Sequence, residues 1–123
     1  APYIDDVRLA KRLNALGQEG VRFVPIRFTP NYSVHKDEPC GGVNIIVTDR
    51  QKLRAVSLGI DIARELHALY PKQFPLVKVG RLLCHPPTLE ALAQGKTLVQ
   101  IEALWKRDLV NFTLRRAKHL LYK

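Results

Sequence analysis

Methionine is absent from the 123 residues, tryptophan occurs once, as Trp105, and cysteine only twice, as Cys40 and Cys84. Two cysteines allow one disulfide or none, so the chain is not a scaffold stapled by several bridges. No cysteine or histidine pair has C-x-x-C or H-x-x-x-H spacing, and adjacent Cys84-His85 cannot readily converge on one ion. Neither a metal nor another cofactor is therefore expected. Apolar runs are also short: none approaches the roughly 20 residues of a membrane helix. The first residues lack the basic, apolar and small-residue regions of a signal peptide. A soluble domain without a visible address is the expectation. The missing methionine and the Ala1-Pro2-Tyr3 opening suggest a piece of a longer polypeptide.

Acidic residues are scarce, 11 against 20 Lys and Arg, which gives a net charge of +9. The excess leans toward the C-terminal half, where residues 61–123 carry 11 basic and 5 acidic side chains. Lys106, Arg107, Arg115, Arg116, Lys118 and Lys123 there face only Asp108. Such a balance raises nucleic acid, anionic glycan and acidic membrane surfaces as partners without choosing among them. A nucleic-acid surface usually adds exposed aromatics or Gly-rich basic loops. Trp105 and most other aromatics fall at positions that read as core, so a solvated basic face is expected and nucleic acid is not.

What is present reads as one α+β domain, a small mixed sheet covered by helices in the order α-β-β-α-(β)-α-α. Residues 5–16 form an amphipathic helix with Val7, Ala10, Leu13 and Leu16 on its stripe, started at Asp5 or Asp6 and ended by Gly17. Residues 21–28 alternate like a strand, and Pro25 removes one donor, so an edge position or a bulge follows. Residues 29–42 read as a long loop, and loops of more than about 12 residues are more often functional than incidental. Residues 42–48 are the best strand, with Val43, Ile45 and Val47 on one face. A helix then runs from about Leu53 to Tyr70, with Val56, Ile60, Ala63, Leu66 and Leu69 or Tyr70 inward, stopped by Pro71. Residues 74–79 suit a short strand or an extended connector. A short helix opens at Pro86-Pro87 and Gly95 closes it. Thr97 and Gln100 match a capping box, ahead of a helix carrying Ile101, Leu104, Trp105, Leu109 and Phe112.

Carboxylates do not assemble an obvious catalytic pair. Asp37 and Glu38 share the loop, Asp49 ends a strand, and Asp61, Glu65, Glu90, Glu102 and Asp108 read as surface charges. Ser33, His35 and Asp37 could spell a triad, but no nucleophile elbow surrounds Ser33. Cys40 beside Gly41-Gly42 reads as structural rather than reactive. Gly41-Gly42 leads into a strand, which excludes a phosphate-binding loop of the Rossmann or Walker kind. A binding picture remains: Tyr32, His35, Lys36, Glu38 and Arg50 line a polar cleft edge. Tyr and His offer flat faces to sugar rings, and Lys or Arg pairs with a carboxylate.

The order of these elements carries a resemblance. Ala1-Pro2-Tyr3-Ile4-Asp5, Gly20-Val21-Arg22-Phe23 with Pro25, Phe28-Thr29-Pro30, Cys40-Gly41-Gly42-Val43 and Val47-Thr48-Asp49-Arg50 follow one another. So do Leu69-Tyr70-Pro71 with Phe74, the Gly95 turn, Trp105 and the closing Leu120-Leu121-Tyr122. Together they resemble the C-terminal domain of the NamZ-type exo-β-N-acetylmuramidases across residues 1–123. The resemblance implies a parent glycoside hydrolase of the bacterial envelope, periplasmic or secreted. Such an enzyme removes N-acetylmuramic acid from the non-reducing ends of peptidoglycan fragments during cell-wall recycling. It also implies that an N-terminal Rossmann-like domain holds the catalytic glutamates and is this domain's partner, leaving this piece inactive alone. One departure is Gly80-Arg81-Leu82-Leu83-Cys84-His85-Pro86, where the family usually has an acidic residue and a glycine. It supplies a second cysteine able to pair with Cys40 in an oxidising periplasm. The alternative from another class is a freestanding basic module that binds an anionic polymer.

Overall fold

Asp5 caps the first helix, α1 (Asp6–Ala15), by accepting the Arg8 N–H at 2.9 Å, and Gly17 ends it at φ +67°. The computed structural model describes residues 1–121, so Tyr122 of the closing motif and Lys123 of the basic stretch lie outside the described residues. Leu9, Ala10 and Leu13 are buried on α1, whereas Val7 is exposed. The inward stripe is thus turned by part of a turn from the one read off the sequence, because Leu9 adjoins Ala10 and both reach the sheet.

Strands β1 (Val21–Phe28) and β2 (Cys40–Val47) form a two-stranded antiparallel sheet, from Val21 opposite Val47 to Phe28 opposite Cys40. With these two antiparallel strands alone among the described residues, the sheet is antiparallel rather than mixed. The loop between them is residues 29–39, shorter than expected, since Cys40 and Gly41 already pair. Asn14 fixes β1 to α1: its Nδ2 donates to the Phe23 carbonyl at 2.8 Å and its Oδ1 accepts the Phe23 N–H at 3.0 Å. Phe23 therefore turns its main-chain groups away from β2. Pro25, two residues on, has the same orientation, and its missing N–H costs the ladder nothing. The register runs through Pro25 without a bulge.

Helix α2 (Ala55–Leu69) joins two cores. In the first, Leu58 meets Leu9, Ala10, Leu13 and Phe23; in the second, Ile60 meets Leu76, Ala91, Leu92 and Ile101. The second is built from α3 (Val77–Leu83), α4 (Pro86–Ala93) and α5 (Leu98–Ala117). Val56 lies outside both clusters and is exposed. Asp61 and Glu65, read as surface acids, are buried: Arg64 lies 3.1 Å from Asp61, Gln18 donates to Asp61, and Arg12 pairs with Glu65. Removing one partner from such a group leaves a buried charge uncompensated.

The bracketed strand is a helix. Pro75 lies just before the Leu76 N-cap of α3, its carbonyl accepting the Lys78 N–H at 3.1 Å, and Leu76, Val79 and Leu83 meet the second core at helical spacing. That period outweighs the β propensity of Val77 and Val79. His85 caps α4, Gly95 follows at φ +69°, and the Thr97–Gln100 capping box is present. Ile101 is fully buried and Trp105 half-buried, but residues 106–117 of α5 are exposed, including Leu109 and Phe112. The helix runs on past its core. Cys40 is buried, Cys84 exposed, and both thiols are free, so of the two states that two cysteines allow the structure has the unpaired one.

Two glycines give opposite expectations. A Cβ on Gly41 would lie 2.1 Å from the Ile4 carbonyl oxygen, a backbone atom that cannot step aside, whereas one on helical Gly59 meets nothing within 4 Å. Gly41→Ala should lower unfolding stability by about 1–3 kcal/mol, and Gly59→Ala should raise it by roughly 0.5–1 kcal/mol. Urea denaturation of both variants measures the contrast.

Candidate functional site

The 29–39 loop leaves the sheet as a short, internally bonded excursion. Asp37 N–H donates to the Pro30 carbonyl at 2.8 Å and Glu38 N–H to the His35 carbonyl at 3.1 Å. Ser33, His35 and Asp37 hold φ of 67°, 62° and 61°, a left-handed geometry that costs a non-glycine residue energy and clusters at functional positions. Alternate residues at positive φ fold the loop tightly enough to bring its polar side chains together. His35 Nδ1 lies 3.7 Å from Glu38 Oε1, and Lys36 Nζ lies 3.9 Å from Asp37 Oδ2. Tyr32 stands 77% exposed beside them, its ring available as a flat face.

Four of the five site residues expected from sequence, Tyr32, His35, Lys36 and Glu38, thus share one loop. Arg50 does not join them. It lies in the turn beyond β2, where Asp49 Oδ1 accepts the Gln51 N–H at 2.9 Å. The length of the hairpin, roughly 23 Å at the usual strand rise, separates it from the loop. Arg50 and Lys36 therefore cannot hold the same carboxylate.

At the root of the loop, a cavity of about 380 Å³ is lined by Pro2, Ile4, Arg27, Phe28, Pro39 and Gly41. Arg27 reaches from β1 to Asp6 on α1, with its Nε 3.2 and 3.3 Å from the two carboxylate oxygens. The Arg27 guanidinium holds the Asp6 carboxyl below its ordinary range. Tyr70 Oη accepts the Asp5 N–H at 2.8 Å, and its ring meets Tyr3 edge-on with centroids 5.3 Å apart. Burial, and secondarily Tyr70, pushes the Tyr3 phenol up. These contacts fix the first six residues against the hairpin and α2.

A larger groove, about 650 Å³, lies on the far side, between the start of α2, His85 and the exposed face of α5. Glu102 is pinned there by Ser57 Oγ, which donates at 2.6 Å, and by Arg54 Nη2 at 3.0 Å. His85 Nδ1 lies 2.8 Å from Thr88 Oγ1 and 3.3 Å from the Thr88 N–H, which it accepts as the cap of α4. Trp105 meets His85 edge-on at 6.3 Å. Sequence reasoning missed this groove because it joins residues of three helices, and Glu102 alone read as a surface acid. The exposed half of α5 carries Leu109 and Phe112 beside its cations, so it is not a purely cationic face.

Comparison with known proteins gives the family. The family model described as "Exo-beta-N-acetylmuramidase NamZ, C-terminal" matches residues 1–122. The chain belongs to the NamZ C-terminal family. It is 33% identical over 125 residues to the peptidoglycan beta-N-acetylmuramidase NamZ of Bacillus subtilis (strain 168), covering 99% of this chain and 30% of that protein. It is also similar to the crystal structure of a DUF1343 family protein from Bacteroides fragilis NCTC 9343. That likeness has a TM-score of 0.68 at 25% identity and covers all of this chain and 34% of the other. The NamZ C-terminal chain thus spans about a third of the length of these relatives.

The Asp6–Arg27 pair predicts a pH dependence. A carboxylate kept ionised in the folded state binds fewer protons than in the unfolded chain, so its contribution is complete above about pH 4 and fades as pH falls through the lowered value. Arg27→Ala should therefore cost stability near neutrality and flatten its decline below about pH 4. Denaturation midpoints from pH 6 to pH 2 measure both effects.

Proposed function

We propose that this chain is the auxiliary C-terminal domain of an exo-β-N-acetylmuramidase that acts on peptidoglycan fragments, with the catalytic residues in a preceding N-terminal domain. The match of residues 1–122 to the NamZ C-terminal family carries this reading. The relative from Bacillus subtilis is a peptidoglycan beta-N-acetylmuramidase by name, which supports the same substrate class. A parent that takes such fragments works in the cell envelope, periplasmic or secreted, and serves cell-wall recycling.

Within that parent, the 29–39 loop forms one wall of the substrate cleft. Support comes from its three left-handed residues, which fold the loop so that an exposed ring and charges of both signs share one short excursion. Tyr32 offers a stacking face to the sugar, and Lys36 a counter-charge to the lactyl carboxylate of a muramyl unit. His35 and Glu38 supply a donor and an acceptor for ring hydroxyl groups.

Tyr32→Ala and Lys36→Ala in the longer enzyme should each lower kcat/KM for release of N-acetylmuramic acid from a chromogenic glycoside. A loss near tenfold corresponds to about 1.4 kcal/mol of lost interaction. Arg50→Ala, at the opposite end of the hairpin, should change it little. Undiminished activity in both loop variants would remove the loop from the cleft.

A further inference from the structure

The two free edges of the sheet are not equivalent. On β1 the outward main-chain groups of Phe23 are taken by Asn14, and outward-facing Pro25 has no N–H to offer. That edge is closed to another strand. On β2, Ala1 Nα donates to the Gly41 carbonyl at 2.9 Å, and Gly41 N–H donates to the Ala1 carbonyl at 3.1 Å. A reciprocal exchange of two bonds between two residues is the signature of a hydrogen-bonded antiparallel pair. Ala1 then turns away: Ile4 N–H returns to the Ala1 carbonyl at 3.1 Å, with Pro2 at the second position of the turn.

Ala1 thus occupies the last rung of a ladder whose earlier rungs are empty. Val43, Ile45 and Val47 share the orientation of Gly41, and among the described residues none of their amides finds a backbone partner beyond β1. Ile45 and Val47 are 42% and 44% exposed. The sheet face turned from α1 is also uncovered, with Val24, Ile26, Phe28 and Ile46 between 36% and 48% exposed. The longer relatives place about two-thirds of their length outside the matched region, and the family model describes a C-terminal region.

We infer that the residues immediately preceding Ala1 in the longer NamZ chain form a third strand, antiparallel to β2, hydrogen-bonded to Val43, Ile45 and Val47. This rests on membership of the longer family chain and not on the muramidase chemistry. About six residues suffice to reach Val47, the second residue before Ala1 lying opposite Val43 and the third opposite Asn44. The first, third and fifth residues before Ala1 then place their side chains on the face of Val24, Ile26 and Ile46 and cover part of it. The chain would enter this strand beside Val47 and run along β2 to Ala1, at the root of the 29–39 loop, as a rigid tie to the preceding domain.

Amide hydrogen exchange tests this without reference to hydrolysis, so failure of the strand and failure of the proposed activity are separable. In the 123-residue chain, Gly42, Asn44 and Ile46, which face β1, should be protected while Val43 and Ile45 exchange quickly. In the longer chain, Val43 and Ile45 should slow by at least about 100-fold, the protection expected of interior ladder bonds. Equal exchange of Val43 and Ile45 in the two chains would overturn the inference. Disulfide trapping in the longer chain tests the register. Asn44→Cys should couple under mild oxidation to a cysteine at the third residue before Ala1, since residues opposed in a non-hydrogen-bonded pair lie close enough to bridge. Coupling of that same cysteine to Ile46→Cys instead, or to neither, would also overturn it.

Discussion

Helix α2 has to bury two stripes at once, and the rest of the domain is arranged around that demand. Leu58 faces α1 and the hairpin, Ile60 faces the three later helices, and neither cluster closes without α2. A Leu or Ile in such a position contributes on the order of 2–5 kcal/mol against truncation to Ala. The polar positions obey the same constraint. With both sides of α2 covered, Asp61 and Glu65 are buried too, and Arg12, Gln18 and Arg64 must reach them. The ion pairs set the seating of α1 on α2, while the apolar contacts supply most of the driving force.

This division separates two surfaces with different characters. The hairpin side carries a short, strained polar loop and the fixed N-terminal residues, held by the Asp6–Arg27 pair and by Tyr70. The helical side carries the apolar groove along α5, with Glu102 locked by Ser57 and Arg54. Glu102, which accepts both bonds, is fixed in place on the groove wall. The polar loop is thus the better candidate for meeting a sugar.

Much of the fold was legible because its signals are local. Asp5 and Gly17 bracket α1, Pro71 follows the last turn of α2, and Thr97 with Gln100 opens α5, all within a few residues. The misses have a common cause in distance. The α2 stripe held at Ile60, Ala63, Leu66 and Leu69 but included exposed Val56 and omitted Leu58, because one helix serves two cores, and burial of Glu65 depends on Arg12, 53 residues away. Helix α3 was hidden by two valines whose preference for strands yields to the contacts of Leu76, Val79 and Leu83. Likewise, the loop cluster was visible in composition, whereas the distance of Arg50 from it became apparent only once the strand register was known. Leu109 and Phe112 follow helical spacing, yet the core ends near Trp105, and nothing in a single helix's pattern says where its neighbours stop.

The central claim is that residues 1–123 assist a peptidoglycan muramidase and do not themselves cleave. It is tested most directly by assaying release of N-acetylmuramic acid by the isolated chain, by the longer chain that contains it, and by the longer chain lacking it. Turnover by the intact longer chain alone is the predicted result. Hydrolysis by residues 1–123 in isolation, or undiminished hydrolysis after their removal, would contradict the account.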